Sequence, residues 1–206
     1  MTANYTLYWA TNTCSLAPHI VLRECELPFD LVRVELREKR LADGGNWLAV
    51  NAKGYVPALR LPEGDILTEG AVMVQYLADR VPDKNLAHAT GSMERVRLQE
   101  WLHFIATELH KGSSPLYHPE ATDDLKASLK ERLAGRWTTL AEGLGDKPYI
   151  MGDFTIADAY AFYVMRAWQH AHRESLDRWP TLKAYYDRLA ARPHVIAALA
   201  AEGIAA

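Results

Sequence analysis

Cys14 stands in a short polar loop between an apolar run, Tyr5-Thr6-Leu7-Tyr8-Trp9, and a helical pattern that opens at Ser15. A thiol just ahead of a helix gains thiolate character from the dipole and from the first-turn N–H groups. Cys14-Ser15-Leu16-Ala17 holds no second cysteine, which points away from an intramolecular dithiol cycle. A lone thiolate can still attack a disulfide or hold a small thiol as a mixed disulfide. The competing reading makes Cys14 a small packed residue, a common fate of a free cysteine. Cys25 reads as core.

A second candidate lies at Thr68-Glu69-Gly70, where a short strand passes into the helical pattern Ala71 to Leu77. Free N–H groups and the positive dipole end at such a terminus favour an anion, while the Glu69 carboxylate suits an ammonium. A zwitterionic amino-acid head fits both halves. The plainer alternative is that Glu69 only complements the dipole. Just upstream, Gly54-Tyr55-Val56-Pro57 leads into a strand whose start Pro57 must occupy, because proline cannot donate to a ladder. The Val56-Pro57 bond is a candidate for the cis form, which would turn the Val56 backbone towards a ligand.

His103 and His110, seven apart, are predicted on one helix face. With no His-Glu-x-x-His and no paired-cysteine motif beside them, no metal site is expected. His110-Lys111 near a helix end suits either an anionic ligand or the negative end of the dipole.

These groups must be positioned by a chain of 206 residues, room for one large domain or two small ones. A net charge of −3 and no long basic run argue against nucleic acid or an anionic membrane as partner. No apolar stretch reaches spanning length, and Met1-Thr2-Ala3-Asn4-Tyr5 lacks the features of a secretion signal, so the expected location is the cytoplasm. On one helix Cys14 and Cys25 would lie about 16 Å apart, too far to bridge. Both are expected as free thiols.

Tyr5–Trp9 reads as a strand, Ser15–Glu24 as a helix and Phe29–Leu36 as a strand with Val32, Val34 and Leu36 on one face. Residues 38–50 are irregular with a short helix, and Ala58–Leu61 and Ile66–Thr68 form a hairpin around Pro62-Glu63-Gly64-Asp65. Turn composition from Pro82 to Gly91 marks a boundary. Helices are predicted over residues 92–111 and 125–144. Others open at the Thr155-Ile156-Ala157-Asp158 capping box, at Trp179-Pro180 and at Arg192-Pro193. The order β-α-β-α-β-β-α followed by helices predicts a thioredoxin-like α/β domain over residues 1–83 and an all-α domain over 90–206.

Taken together, these segments resemble a cytosolic glutathione S-transferase of the bacterial beta class. The resemblance covers essentially the whole chain. It rests on Cys14 to Glu24, Gly54-Tyr55-Val56-Pro57, Leu67-Thr68-Glu69-Gly70, Val74 to Asp79, Glu108 to Gly112 and Phe154 to Tyr160. It implies the glutathione S-transferase fold, a homodimer, and glutathione as co-substrate rather than a metal cofactor. It further implies Cys14 and His110 as catalytic positions, Cys14 facing the glutathione sulfur and able to hold it as a mixed disulfide. Ser15, Lys39, Tyr55, Val56, Pro57, Glu69, Gly70, His103, His110 and Lys111 are the implied glutathione contacts. Val56 would pair through its backbone with the cysteinyl part, and Glu69 with the Gly70 N–H would hold the γ-glutamyl head. Trp168 would border the pocket for an apolar second substrate. Departures stand at Trp9 and the loop after it, at Tyr55 where glutamine is frequent, and at His103 where the family carries asparagine.

The expected activity is conjugation of glutathione to small electrophiles, with cysteine-dependent reduction of disulfides or peroxides. Alternatives are a non-catalytic binder of apolar ligands and a glutathione-dependent isomerase or dehalogenase.

Overall fold

In the computed structural model, which describes residues 4–204, β1 (Tyr5–Trp9) runs parallel to β2 (Phe29–Glu35), pairing Tyr5 with Phe29 and Trp9 with Arg33. A parallel pair needs a crossover, and α1 (Leu16–Glu24) supplies it. Met1–Ala3, which carry most of the leader reading, and the last two alanines lie outside the described residues. β4 (Ala58–Arg60) and β5 (Ile66–Thr68) add antiparallel strands, with Leu7 opposite Leu59 and Ala58 opposite Thr68. A two-residue β3 (Arg40–Leu41), not predicted from the sequence, pairs with β2 and completes the order β3-β2-β1-β4-β5. Two residues are too few to show an alternating pattern, which is why β3 escapes a periodicity reading.

The chain packs as two units, one taking residues up to Leu86 together with those from Ala191 onward, the other Ala87–Ala190. In the first unit, alternation along β1 splits the core. Tyr8 packs with Trp47, Val34, Val56 and Ala58 under the one-turn α2 (Trp47–Val50), while Leu7 is fully buried on the opposite face. α1 buries all but one of its nine residues because it packs against both α3 (Gly70–Asp79) and α8 (Pro193–Ala201).

Two polar clasps hold α8 to α1. Arg192 forks onto Glu24 at 2.9 and 2.8 Å, the bidentate geometry guanidinium and carboxylate favour. Deeper, Arg23 Nε donates to His19 Nε2 at 3.0 Å, which makes Nε2 the acceptor and leaves His19 Nδ1 to donate to Glu202 at 2.8 Å. His19 and Glu202 are buried, so neither has water to replace the other. The division predicted from the sequence, with residues 90–206 in one domain, differs from this packing at its C-terminal end.

In the second unit, α4 (Met93–Phe104) continues as a π-helical segment, Ile105–Lys111, where the sequence predicts a single regular helix. α5 (Asp123–Leu144), α6 (Ile156–His170) and α7 (Pro180–Ala190) follow. The capping box at α6 forms as read: Asp158 accepts from the Thr155 N–H at 2.7 Å and the Thr155 hydroxyl at 2.9 Å. It also accepts from the Ile150 N–H at 3.0 Å and from the Tyr185 hydroxyl, so one buried carboxylate joins α6, α7 and the approach to both. No helix among the described residues is long and apolar enough to cross a membrane.

Candidate active site

The loop from Ala10 to Ser15 is closed by its own hydroxyls. Thr13 Oγ1 donates to the Ala10 carbonyl at 2.8 Å and lies 2.8 Å from Ser15 Oγ, and the Ala10 N–H donates to Ser15 Oγ at 3.3 Å. Ser15, expected as a glutathione contact, is fully buried, and its hydroxyl bonds within this loop. The turn leaves Cys14 partly exposed, one residue ahead of the α1 N-cap, with its Sγ–H donating to the Val56 carbonyl at 3.3 Å. The first-turn donors that the dipole argument counts on are engaged locally. Leu16 N–H bonds the Thr13 carbonyl and Ala17 N–H the Cys14 carbonyl, and Pro18 has none. Cys25 lies buried, its thiol pushed up to about 12 by desolvation, with Glu24 adding to the rise.

Val56 precedes Pro57 in a cis peptide bond. The approach to it is shaped by Asn51, a buried residue that sequence reading passed over. Its Nδ2 donates to the Tyr55 carbonyl at 2.8 Å and its Oδ1 accepts from the Lys53 N–H at 3.1 Å. Lys39, expected at the ligand, donates its ammonium to the Gly54 carbonyl at 2.9 Å and lies 5.8 Å from the Tyr55 ring centre, so in this state it braces the same loop. The Tyr55 side chain is exposed.

Glu69 is the N-cap of α3 and carries φ of +71°, a region non-glycine residues seldom occupy. Its carboxylate is already paired: Lys53 Nζ lies 2.7 Å from Glu69 Oε1 and 3.0 Å from Thr68 Oγ1. Gly70 opens the helix beside the Pro57 ring, where a Cβ would make ordinary contact at 3.8 Å. The first unit therefore carries a thiol, a carbonyl beside a cis proline, and an ion pair at a helix start. Lys53 was not among the expected site residues. Its one sequence signal is its place two residues before Tyr55 in Asn51-Ala52-Lys53-Gly54-Tyr55-Val56-Pro57.

The remaining expected residues belong to the second unit. His103 is exposed on α4, with Nδ1 2.9 Å from the Gln99 carbonyl. His110 lies in the π-helical segment, its Nδ1 2.8 Å from the Tyr160 hydroxyl and its ring edge-on to Tyr163. Burial, reinforced by the neighbouring Lys111 cation, lowers its pKa to about 4. The wider winding breaks the seven-residue repeat, so the two histidines do not share an environment. Lys111 is exposed. Trp168 is buried, 5.6 Å from the Trp137 ring, and borders a cavity of about 270 Å³ that Trp179, Lys130 and Arg178 also line.

Residues 13–80 match the model of the glutathione S-transferase N-terminal domain, and residues 107–202 that of the C-terminal domain. The chain is 45% identical over 199 residues to glutathione S-transferase GstA of Escherichia coli O157:H7, covering 96% of this chain and 98% of that one. It superposes with a TM-score of 0.93 on BphK, a bacterial enzyme of this kind solved as a ternary complex, at 46% identity and 97% and 100% coverage. A sphingomonad glutathione S-transferase complexed with glutathione gives 0.92 at 38% identity, covering 97% and 100%. The chain belongs to the glutathione S-transferase family. Within that family it falls with the bacterial beta class.

Proposed function

We propose that this chain binds reduced glutathione on its first unit and conjugates it to small electrophiles. The observation that carries the reading is that unit's arrangement of Cys14, the Val56 carbonyl and the Glu69 carboxylate at the start of α3. The chain is 38% identical to a sphingomonad relative solved with glutathione. The Val56 backbone suits the cysteinyl residue of the tripeptide. Glu69 suits the γ-glutamyl ammonium, and the Gly70 end of α3 its carboxylate. Holding the tripeptide at both places orients its sulfur. On the second unit, His103, His110 and Lys111 are proposed to serve glutathione and Trp168 the second substrate. His110, kept neutral at physiological pH by its burial, can offer a hydrogen-bond donor at one ring nitrogen and an acceptor at the other.

A thiol–disulfide activity is proposed beside conjugation, favoured by the partly exposed Cys14 thiol. The Cys14 thiolate attacks the glutathione sulfur of a mixed disulfide between glutathione and another thiol, forming a Cys14–glutathione disulfide and releasing that other thiol as its thiolate. A second reduced glutathione then frees Cys14 and leaves as oxidised glutathione. The chain is further proposed to work as a cytoplasmic homodimer. Exposed Val72 on α3, and Met93 and Val96 on α4, suit a subunit contact.

The test is Cys14→Ala assayed against an electrophile panel and against a glutathione mixed disulfide. Retained conjugation with lost reduction supports the two-route reading. Loss of conjugation by the wild-type chain across the panel, with glutathione unbound, overturns it.

A further inference from the structure

We propose that Lys53 reads the α-carboxylate of the γ-glutamyl head and so selects γ-linked over ordinary peptides; this rests on the glutathione reading above. Lys53 and Glu69 form an ion pair at 2.7 Å, yet their side chains are 57% and 66% exposed. An exposed pair adds little to stability. The loop nevertheless goes to some length to place it. Asn51, buried at 6% exposure, fixes the Lys53 backbone through its Oδ1, and Glu69, at φ +71°, has its carboxylate against that ammonium.

One cation and one anion side by side complement a ligand with both charges on a single carbon. The γ-glutamyl head of glutathione is such a group, because its α-ammonium and α-carboxylate are both free. In an α-linked peptide the α-carboxylate is consumed in the amide bond, and only the ammonium remains there. When the head arrives, its ammonium takes Glu69, and its carboxylate, at the Gly70 end of α3, takes Lys53 as well. One surface ion pair opens into two charge-assisted contacts, and no charge is left unpaired. Lys39, the lysine expected to meet the ligand, is tied to the Gly54 carbonyl at 2.9 Å, so the cation beside Glu69 is Lys53.

The experiment is calorimetric titration of the full chain, wild type and Lys53→Met, with two probes. The probes are glutathione and 4-aminobutyryl-cysteinyl-glycine, which keeps the ammonium and lacks the α-carboxylate. Lys53→Met is expected to weaken glutathione about fivefold, the upper range for an exposed charge pair, while the analogue stays within about twofold. Lys53→Arg should retain most of the discrimination. Equal weakening of both probes would make Lys53 a loop brace and overturn the proposal. Unchanged or tighter glutathione binding in Lys53→Met would overturn it as well, marking Lys53 as a bystander or a competitor for Glu69. No binding of glutathione by the wild-type chain would bring down the glutathione reading itself, an outcome distinct from the other two.

Discussion

The Cys14 thiol donates to the carbonyl of Val56 at 3.3 Å, across 42 residues of sequence. The chain's other cysteine, Cys25, is 2% exposed and has its thiol pushed up to about 12. A disulfide in solution can therefore approach one sulfur and not the other.

Incubation of the native protein with oxidised glutathione should add one reducible glutathione, mapped by peptide mass spectrometry to Cys14, with none on Cys25. Cys14→Ser should add none. Modification of Cys25 in the folded chain would contradict its burial, and an unmodified Cys14 would remove the cysteine route while leaving the fold unaffected.

His110 gives a pH signature. Its folded pKa of about 4 lies below the ordinary histidine value near 6.5, so the unfolded chain binds a proton that the folded chain refuses. The resulting stability is intact above about pH 6.5 and falls as pH drops towards 4. Between pH 7 and pH 4.5 the wild type should lose about 2 kcal/mol more than His110→Gln, read from urea midpoints at the two pH values. Parallel pH curves for the two proteins would show that His110 takes up its proton as freely folded as unfolded.

Asp158 is buried and takes donors from Ile150, Thr155 and Tyr185. Desolvation raises its pKa against the pull of those donors, led by the Tyr185 hydroxyl. Removing the carboxylate strands several buried donors at once, so Asp158→Ala should cost about 3 kcal/mol or more in chemical unfolding. Thr155→Ala, which removes one hydroxyl of the box, should cost about 1 kcal/mol. A smaller loss in Asp158→Ala than in Thr155→Ala would refute the hub role.

Gly143 lies under the Trp101 ring: a Cβ there would overlap Trp101 Cη2 and Cζ2. Gly143→Ala should destabilise by about 1–3 kcal/mol despite the better helix propensity of alanine, because the indole must move. In a Trp101→Leu background the same change should be neutral or stabilising. Thermal midpoints of the four proteins in this cycle give the coupling directly.

Local order was legible in the chain because its causes are local. The alternation along β1 and β2, the Thr155–Asp158 capping box, Pro180 and Pro193 at helix starts and the turn before β5 all act within a few residues. The thiol before α1 and the acid before α3 were visible for the same reason. What the sequence left open are meetings at long range. Ser15 turns its hydroxyl inward to Ala10 and Thr13, because the loop needs partners for its own polar groups. The π-helical segment shifts His110 out of register with His103. Glu202 returns 183 residues to His19 and carries α8 back to the first unit. Lys53, an ordinary surface lysine by composition, becomes a partner of Glu69 only when the hairpin and the Asn51 loop fold beside each other. Periodicity and capping are short-range and recur along any chain. Which charge faces which is decided by packing, and only the tertiary structure holds that.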